Sequence, residues 1–251
     1  QILIWLTIWV SAIKIGYISN IFWEIIDLDY FNFEIFWFKI FLFSMIFTIV
    51  WYVFIFNALN WTDWIPGNTS GLSIINFLII FILGFLLFQK DTQALLQENS
   101  IFIMKMSIIL VWIILPFWYY DVQEKVLMWD SGTMFLAFML ASLAIISWGK
   151  IATVLIVFWI YSVDAIYVIL TRLYNKKSPL TWDYSHLHHR LLDMWFTKKQ
   201  VLIFVYSFSF LFWLIWLFLN KIWKIIIFVI IVFFVIFINR IIHKFKNYEK
   251  K

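Results

Sequence analysis

The sequence has no cysteine. That excludes disulfides, zinc–thiolate sites and a cysteine nucleophile. Charge is scarce too. Only 13% of the 251 residues are Asp, Glu, Lys or Arg, where an ordinary soluble domain carries roughly 25%. Against this stand 65% hydrophobic residues and a mean hydropathy of +0.95. A soluble globule of this size has too little interior to hide so much apolar surface. Disorder, a coiled coil and a soluble enzyme fall on the same arithmetic. Long polar stretches are missing, so residues 1–251 read as one membrane-embedded domain. Glycine is short as well: 6 Gly stand against 17 Trp, where membrane helices are usually rich in glycine. The chain opens on Gln1, with no charged n-region or small-residue cleavage site before the first apolar run. That predicts a fragment whose start lies upstream, and no signal peptide.

What is present is a series of apolar runs. A helix needs about 20 residues to cross the hydrocarbon. Runs near that length occur at 2–17, 35–56, 71–88, 101–118, 132–148, 151–170, 201–219 and 223–242. They are continuous rather than alternating, which predicts an all-α polytopic membrane protein with about eight transmembrane helices. The Ile and Phe bias reads as an AT-rich genome and carries no function.

Orientation follows from Lys and Arg. Loops after even-numbered helices, with the C-terminal tail, hold Lys125, Arg172, Lys176, Lys177, Arg190, Lys198, Lys199, Arg240, Lys244, Lys246, Lys250 and Lys251. The other side holds Lys90, Lys150, Lys221 and Lys224. This asymmetry puts the even loops in the cytoplasm. It also gives the net charge of +5 a membrane reading, with no nucleic-acid partner.

The notable polar residues share that face. The loop at 57–70 carries Asn57, Asn60 and Asp63, and the loop at 119–131 carries Asp121, Glu124, Lys125 and Asp130. Asp63 and Asp130 stand beside helix ends, where an aspartate can be a helix cap. They also suit a hard cation, since magnesium takes a couple of carboxylates plus phosphate oxygens and water. The loop at 171–200 holds His186, His188, His189 and Arg190. Three readings stand for it: a basic loop on anionic lipid, a metal site, or a cradle of cationic donors for a diphosphate. The metal reading is the weakest, because the spacing is not that of a helical zinc pair.

Three blocks resemble one family. Asp164 to Arg172, then Lys177-Ser-Pro179, then Asp183-Tyr-Ser-His186-Leu-His188-His189-Arg190-Leu-Leu is similar to the last large cytoplasmic loop of the polyprenyl-phosphate N-acetylhexosamine-1-phosphate transferases. Met128-Trp-Asp130-Ser-Gly-Thr133 resembles that family's G-D-S-G-S/T, with Lys125 at its preceding lysine. Asn57-Ala-Leu-Asn60-Trp-Thr-Asp63-Trp-Ile-Pro66-Gly67 resembles N-x-x-N-x-x-D-G-x-D-G-L. The blocks keep the family's order.

The resemblance implies a magnesium-dependent enzyme, with manganese as the alternative ion. It would move a sugar 1-phosphate, GlcNAc-1-phosphate in the favoured branch, from a UDP-N-acetylhexosamine to a polyprenyl phosphate and release UMP. The setting would be the bacterial plasma membrane, with a cytoplasmic site and room for a homodimer. Asp130 is implied as metal ligand, and Asp63 as a second acid of the site. His186, His188 and His189 would hold the diphosphate, supported by Arg190. Asn57, Asn60 and Lys125 are further substrate contacts. The alternatives are the peptidoglycan branch, which acts on a muramoyl-pentapeptide, and a degenerate membrane scaffold. The family's paired aspartates are absent from this stretch, which is expected to be the last eight of about eleven helices. Pro66 replaces an acidic position. Trp64, Trp129 and Trp195 stand where the family has glycine. Reassigned UGA codons, read as Trp where the cell inserts Gly, would explain both the excess and the deficit.

Overall fold

The structure, a computed structural model, describes residues 14–19, 25–30, 32–35, 38–90, 93–147, 171–174, 176, 191–192 and 196–218, with single positions between 226 and 237. The chain falls into two compact units, Gln1–Val154 and Leu155–Lys251.

The first unit begins with two antiparallel hairpins. β1 (Tyr17–Ser19) pairs with β2 (Ile25–Asp27), and β3 (Asn32–Ile35) pairs with β4 (Phe38–Phe41). This corrects two boundaries. The apolar run at 2–17 was expected to be helical to its end, yet Tyr17 opens a strand. The next helix was expected from residue 35, yet it starts at Leu42. The reason is visible in the residues: Asn32-Phe33-Glu34-Ile35 alternates polar and apolar, the period of a strand. The register sets Asn32 opposite Phe41 and position 34 opposite position 39. The Asp29 amide donates to Asp27 Oδ1 at 2.8 Å and tightens the turn between the hairpins. The segment is tied to the first helix by side chains. Lys14 pairs with Asp29 at 2.7 Å, Ser44 Oγ donates to Asp29, and the Ile15 amide donates to Thr48 Oγ1 at 2.9 Å.

Four helices follow: α1 (Leu42–Thr62), α2 (Asn68–Lys90), α3 (Ala94–Asp121) and α4 (Asp130–Ile146). The first three are long and apolar enough to cross a membrane, and α4, at 17 residues, is shorter. What they bury also marks a membrane protein. α3 buries Ser100 and Ser107 while Phe102, Trp112 and Ile113 face outward, Trp112 at 70% exposure. In water that arrangement would be inside out. In lipid it is the expected one, because tails are as apolar as leucine and helices associate by close packing and hydrogen bonds.

Small residues permit that packing. α2 and α3 form a hairpin in which a Cβ on Gly84 would lie 3.3 Å from the Ser100 carbonyl oxygen and 3.0 Å from Met104 Cγ. α1 runs antiparallel against α4, whose Ala137, Ala141 and Ala144 are fully buried. Two buried hydrogen bonds join this pair, Tyr52 Oη with Ser142 Oγ at 2.7 Å and Trp51 Nε1 to the Ala141 carbonyl at 3.1 Å. Pro116 sits inside α3 and leaves the Trp112 carbonyl without its helical donor.

In the second unit the described helix is α5 (Lys198–Phe218), close to the expected run at 201–219. The expected spans at 151–170 and 223–242 lie outside the described residues, apart from single positions in the latter.

Candidate active site

The chain places the ends of four helices together: the C-termini of α1 and α3 and the N-termini of α2 and α4. Their polar side chains meet there. α1 extends further than the apolar count suggested. Residues 57–62, expected in a loop, form its last turns because Ala58, Leu59 and Thr62 are still buried. Asp63 ends it, its amide donating to the Asn60 carbonyl at 3.2 Å.

The link to α2 is then very short. The Asn68 amide donates to the Ile65 carbonyl at 2.9 Å, and Gly67 has φ 87°. Proline second and a positive-φ glycine third is the sequence of a type II turn. Pro66, expected only as a lost acidic contact, therefore sets the turn that brings α2 back beside Asp63. The next residues are Asn68, Thr69 and Ser70, all buried. Thr69 Oγ1 lies 2.8 Å from Thr62 Oγ1, and Asn68 Nδ2 donates to the Thr62 carbonyl at 2.9 Å.

Asp63 is the centre of this cluster. Burial pushes its carboxyl up to about 6, and the nearby charges of Asp121 and Asp130 add to the rise. Hydrogen bonds from Thr69 and Thr133 work against it. The Thr133 bond to Asp63 Oδ2 is long, at 3.4 Å, and competes with one to the Trp129 carbonyl at 3.5 Å. Each hydroxyl has one proton to give. The groups acting on Asp63 among the described residues are thus acids and neutral hydroxyls, with no cation.

Asp130 is the first residue of α4 and is exposed. Its place suits the positive end of the helix dipole. Lys125 is exposed on the connection from α3, just after Glu124, which takes a left-handed φ of 60°. Asn57 is exposed and donates from Nδ2 to its own Val53 carbonyl at 2.7 Å. It is turned along α1 rather than toward the acids. Asn60 is half-buried one turn before Asp63. His186, His188, His189 and Arg190 lie outside the described residues, as does Trp195. Trp129 has φ −72° and ψ 161°, ordinary extended backbone that any residue adopts. Trp64 is not among the described residues with positive φ. Backbone conformation alone therefore does not demand glycine at either position.

Asp121 is the site residue that sequence reasoning passed over. It ends α3, is 3% exposed, and accepts a hydrogen bond from Ser70 Oγ at 2.6 Å. The available signal was the run Asn68-Thr69-Ser70, three polar residues opening an apolar helix and needing partners.

Does magnesium fit these residues? Asp63 and Asp130 are close enough for their charges to interact, and Asp130 is exposed with oxygens to offer. That is the protein share of a typical magnesium site, which water and phosphate oxygens complete. No set of three or more acidic or histidine ligands converges among the described residues, so the protein alone would give only a partial shell.

Comparison with known proteins identifies the family. Residues 2–148 match the model of the family described as glycosyl transferase family 4. A probable undecaprenyl-phosphate N-acetylglucosaminyl 1-phosphate transferase of Bacillus subtilis is 26% identical over 172 residues, 66% of this chain and 45% of that protein. A decaprenyl-phosphate N-acetylglucosaminephosphotransferase of Mycobacterium leprae is 27% identical over 182 residues, 65% of this chain and 45% of that one. A phospho-N-acetylmuramoyl-pentapeptide-transferase of Staphylococcus epidermidis is 30% identical over 163 residues, 64% and 47% of the two chains. The chain spans about half the length of these curated relatives. With the matched region covering more than half of the chain, from the hairpins through α1 to α4, the chain belongs to glycosyl transferase family 4.

Proposed function

We propose that this protein transfers an N-acetylhexosamine 1-phosphate, GlcNAc-1-phosphate in the first instance, from a UDP-sugar to undecaprenyl phosphate and releases UMP. It would act as the opening lipid-linked step of an envelope polysaccharide. The observation that carries the reading is the meeting of Asp63 with the Asp130 turn at one end of membrane-crossing helices. A lipid phosphate can reach that end from the bilayer and a nucleotide sugar from water. The names of the Bacillus and Mycobacterium relatives support this choice of substrates.

Asp130, with its exposed carboxylate, is the residue to hold magnesium, or manganese in its place. The ion would supply charge stabilisation for the transferring phosphoryl group and its diphosphate. Asp63 presents a half-buried acid, oriented by Thr69 and Thr133, to the hydrated ion or to the nucleotide. His186, His188 and His189 would bind the diphosphate and stabilise departing UMP, with Arg190 beside them. Lys125 and Asn60 are candidates for the rim. Asn57 would first have to release the Val53 carbonyl. The abundance of Lys and Arg in the same set of loops supports a cytoplasmic site, and a homodimer is compatible with this design.

The Staphylococcus relative favours a second reading, transfer of a phospho-muramoyl-pentapeptide. Membranes containing the full-length enzyme, given undecaprenyl phosphate and each UDP-sugar in turn, separate the two. Radiolabel entering lipid from UDP-GlcNAc, dependent on magnesium and lost in Asp130→Asn, is the expected result. Label entering only from the muramoyl donor overturns the sugar assignment. Asp130→Asn within a few-fold of the parent at saturating magnesium removes Asp130 from the site.

A further inference from the structure

Asp121 has no task in the transfer scheme, yet it is among the most buried acids described. Its position in the fold suggests one. The turn into α2 needs a positive φ at residue 67, and glycine meets that need. Gly67 also stands where the helix cap belongs, since its carbonyl accepts the first bond of α2, from the Gly71 amide at 2.9 Å. Glycine has no side-chain oxygen, so α2 cannot cap itself from that position, and the first amides of a helix need acceptors from elsewhere.

Asp121 supplies one such acceptor from the end of α3, to the Gly67 amide. It accepts from Ser70 Oγ at 2.6 Å, in the first turn of α2, and the Gly67 backbone hydrogen-bonds to it as well. Between those two donors lies Thr69, which hydrogen-bonds Asp63. We propose that Asp121 is a positioning residue: reaching from the end of α3, it caps α2 and so fixes the turn and the Thr69 hydroxyl that orient the Asp63 carboxylate. The role rests on the reading of Asp63 as a working acid, and the cap itself does not.

The test uses the full-length enzyme with Asp121→Asn, Asp121→Leu, Ser70→Ala and Asp63→Asn, alone and combined. Turnover is measured in membranes, and amide hydrogen exchange over residues 67–71 in the purified protein. Asparagine keeps an acceptor oxygen at the same reach, so Asp121→Asn should stay within about threefold of the parent in turnover. Leucine keeps the branched outline, with methyls in place of oxygens, and loses the acceptor. Asp121→Leu should cut turnover about 30-fold and speed exchange over 67–71 about tenfold. Added to Asp63→Asn, it should cost nothing further, because both changes disable one device. If the Leu protein does not accumulate, Ser70→Ala carries the test, with a smaller rise in exchange over the same amides.

Asp121→Asn falling as far as Asp121→Leu would mean that the charge itself acts on substrate or ion, and the positioning role fails. So would losses that multiply in the double variant, or exchange unchanged in Ser70→Ala and Asp121→Leu. If the parent shows no sugar-phosphate transfer at all, the proposed function falls, while the exchange measurements still decide the cap.

Discussion

Asp63→Asn tests whether the site is held at a cost to the fold. The Asp63 carboxyl is raised to about 6 by burial and by its acidic neighbours, from an ordinary value near 3.8. Below that ordinary value both folded and unfolded chains hold the proton, and the group is neutral toward stability. Between the two values the folded chain holds more proton than the unfolded one. Stability therefore falls as pH rises from about 4 to about 6, and stays reduced above that. At about 1.4 kcal/mol per pKa unit the full shift would be worth about 3 kcal/mol. Asp63 is only half-buried, so solvent screening brings the expected cost down to about 1 kcal/mol. Asparagine keeps the shape and never ionises. The variant should match the parent near pH 4 and exceed it by about 1 kcal/mol at pH 8, with transfer activity sharply reduced but still measurable. Thermal unfolding in detergent, followed by far-UV circular dichroism at both pH values, measures the difference. Magnesium should narrow it at pH 8 by stabilising the parent more than the variant. A variant less stable than the parent at pH 8, or equally stabilised at both pH values, would refute the argument.

At the helix hairpin, Gly84→Val should lower stability by about 2 kcal/mol, because its Cβ meets the Ser100 carbonyl, which is backbone and slow to give way; a thermal midpoint equal to the parent's would show that α2 and α3 can separate freely. Reporters fused after Leu180 and at Gln93 should read cytoplasmic and external respectively, and the reverse pattern would move the acids to a face without nucleotide sugars. His188→Lys and His189→Lys keep or raise the charge but replace a fixed ring by a flexible point donor; turnover should fall sharply with expression unchanged, whereas near-parental turnover would favour a loop that only attracts lipid. In the gene, UGG at codons 64, 129 and 195 would end the reassigned-codon account of the tryptophans.

The described helices were legible because lipid-crossing runs of this kind need little tertiary information. Their ends were not. The count of apolar residues stopped at Phe56, while α1 continues to Thr62 because Ala58 and Leu59 still find a neighbour to pack on. The hairpins vanished in the same averaging: a strand such as Asn32–Ile35 has half its residues apolar, and a hydropathy window erases the alternation. Asp63 and Asp130 could be picked out from their motif blocks. Asp121 could not, since its partner Ser70 is 51 positions away and nothing local distinguishes a capping acid from a loop acid. The turn role of Pro66 was hidden for a related reason. A substitution looks like a loss when only the absent carboxylate is considered, and its value as a turn residue emerges with the φ of Gly67.

The buried bonds that join α1 to α4 act as a gauge for the site. Asp63 lies eleven residues beyond Tyr52 along α1, and Thr133 lies nine before its partner Ser142 along α4, so helical rise puts both about 14–16 Å from the Tyr52–Ser142 bond. Asp63 and Thr133 are therefore aligned by a mark set well away from them. One residue inserted between Tyr52 and Asp63 would advance Asp63 by about 1.5 Å and rotate it by about 100°, turning it off the Asp130 turn while the mark stayed in place. The connection at 122–129 is outside that measured length. Chains of this kind should accept length changes there and refuse them in the last three turns of α1, although those turns carry much less obvious chemistry than the loop.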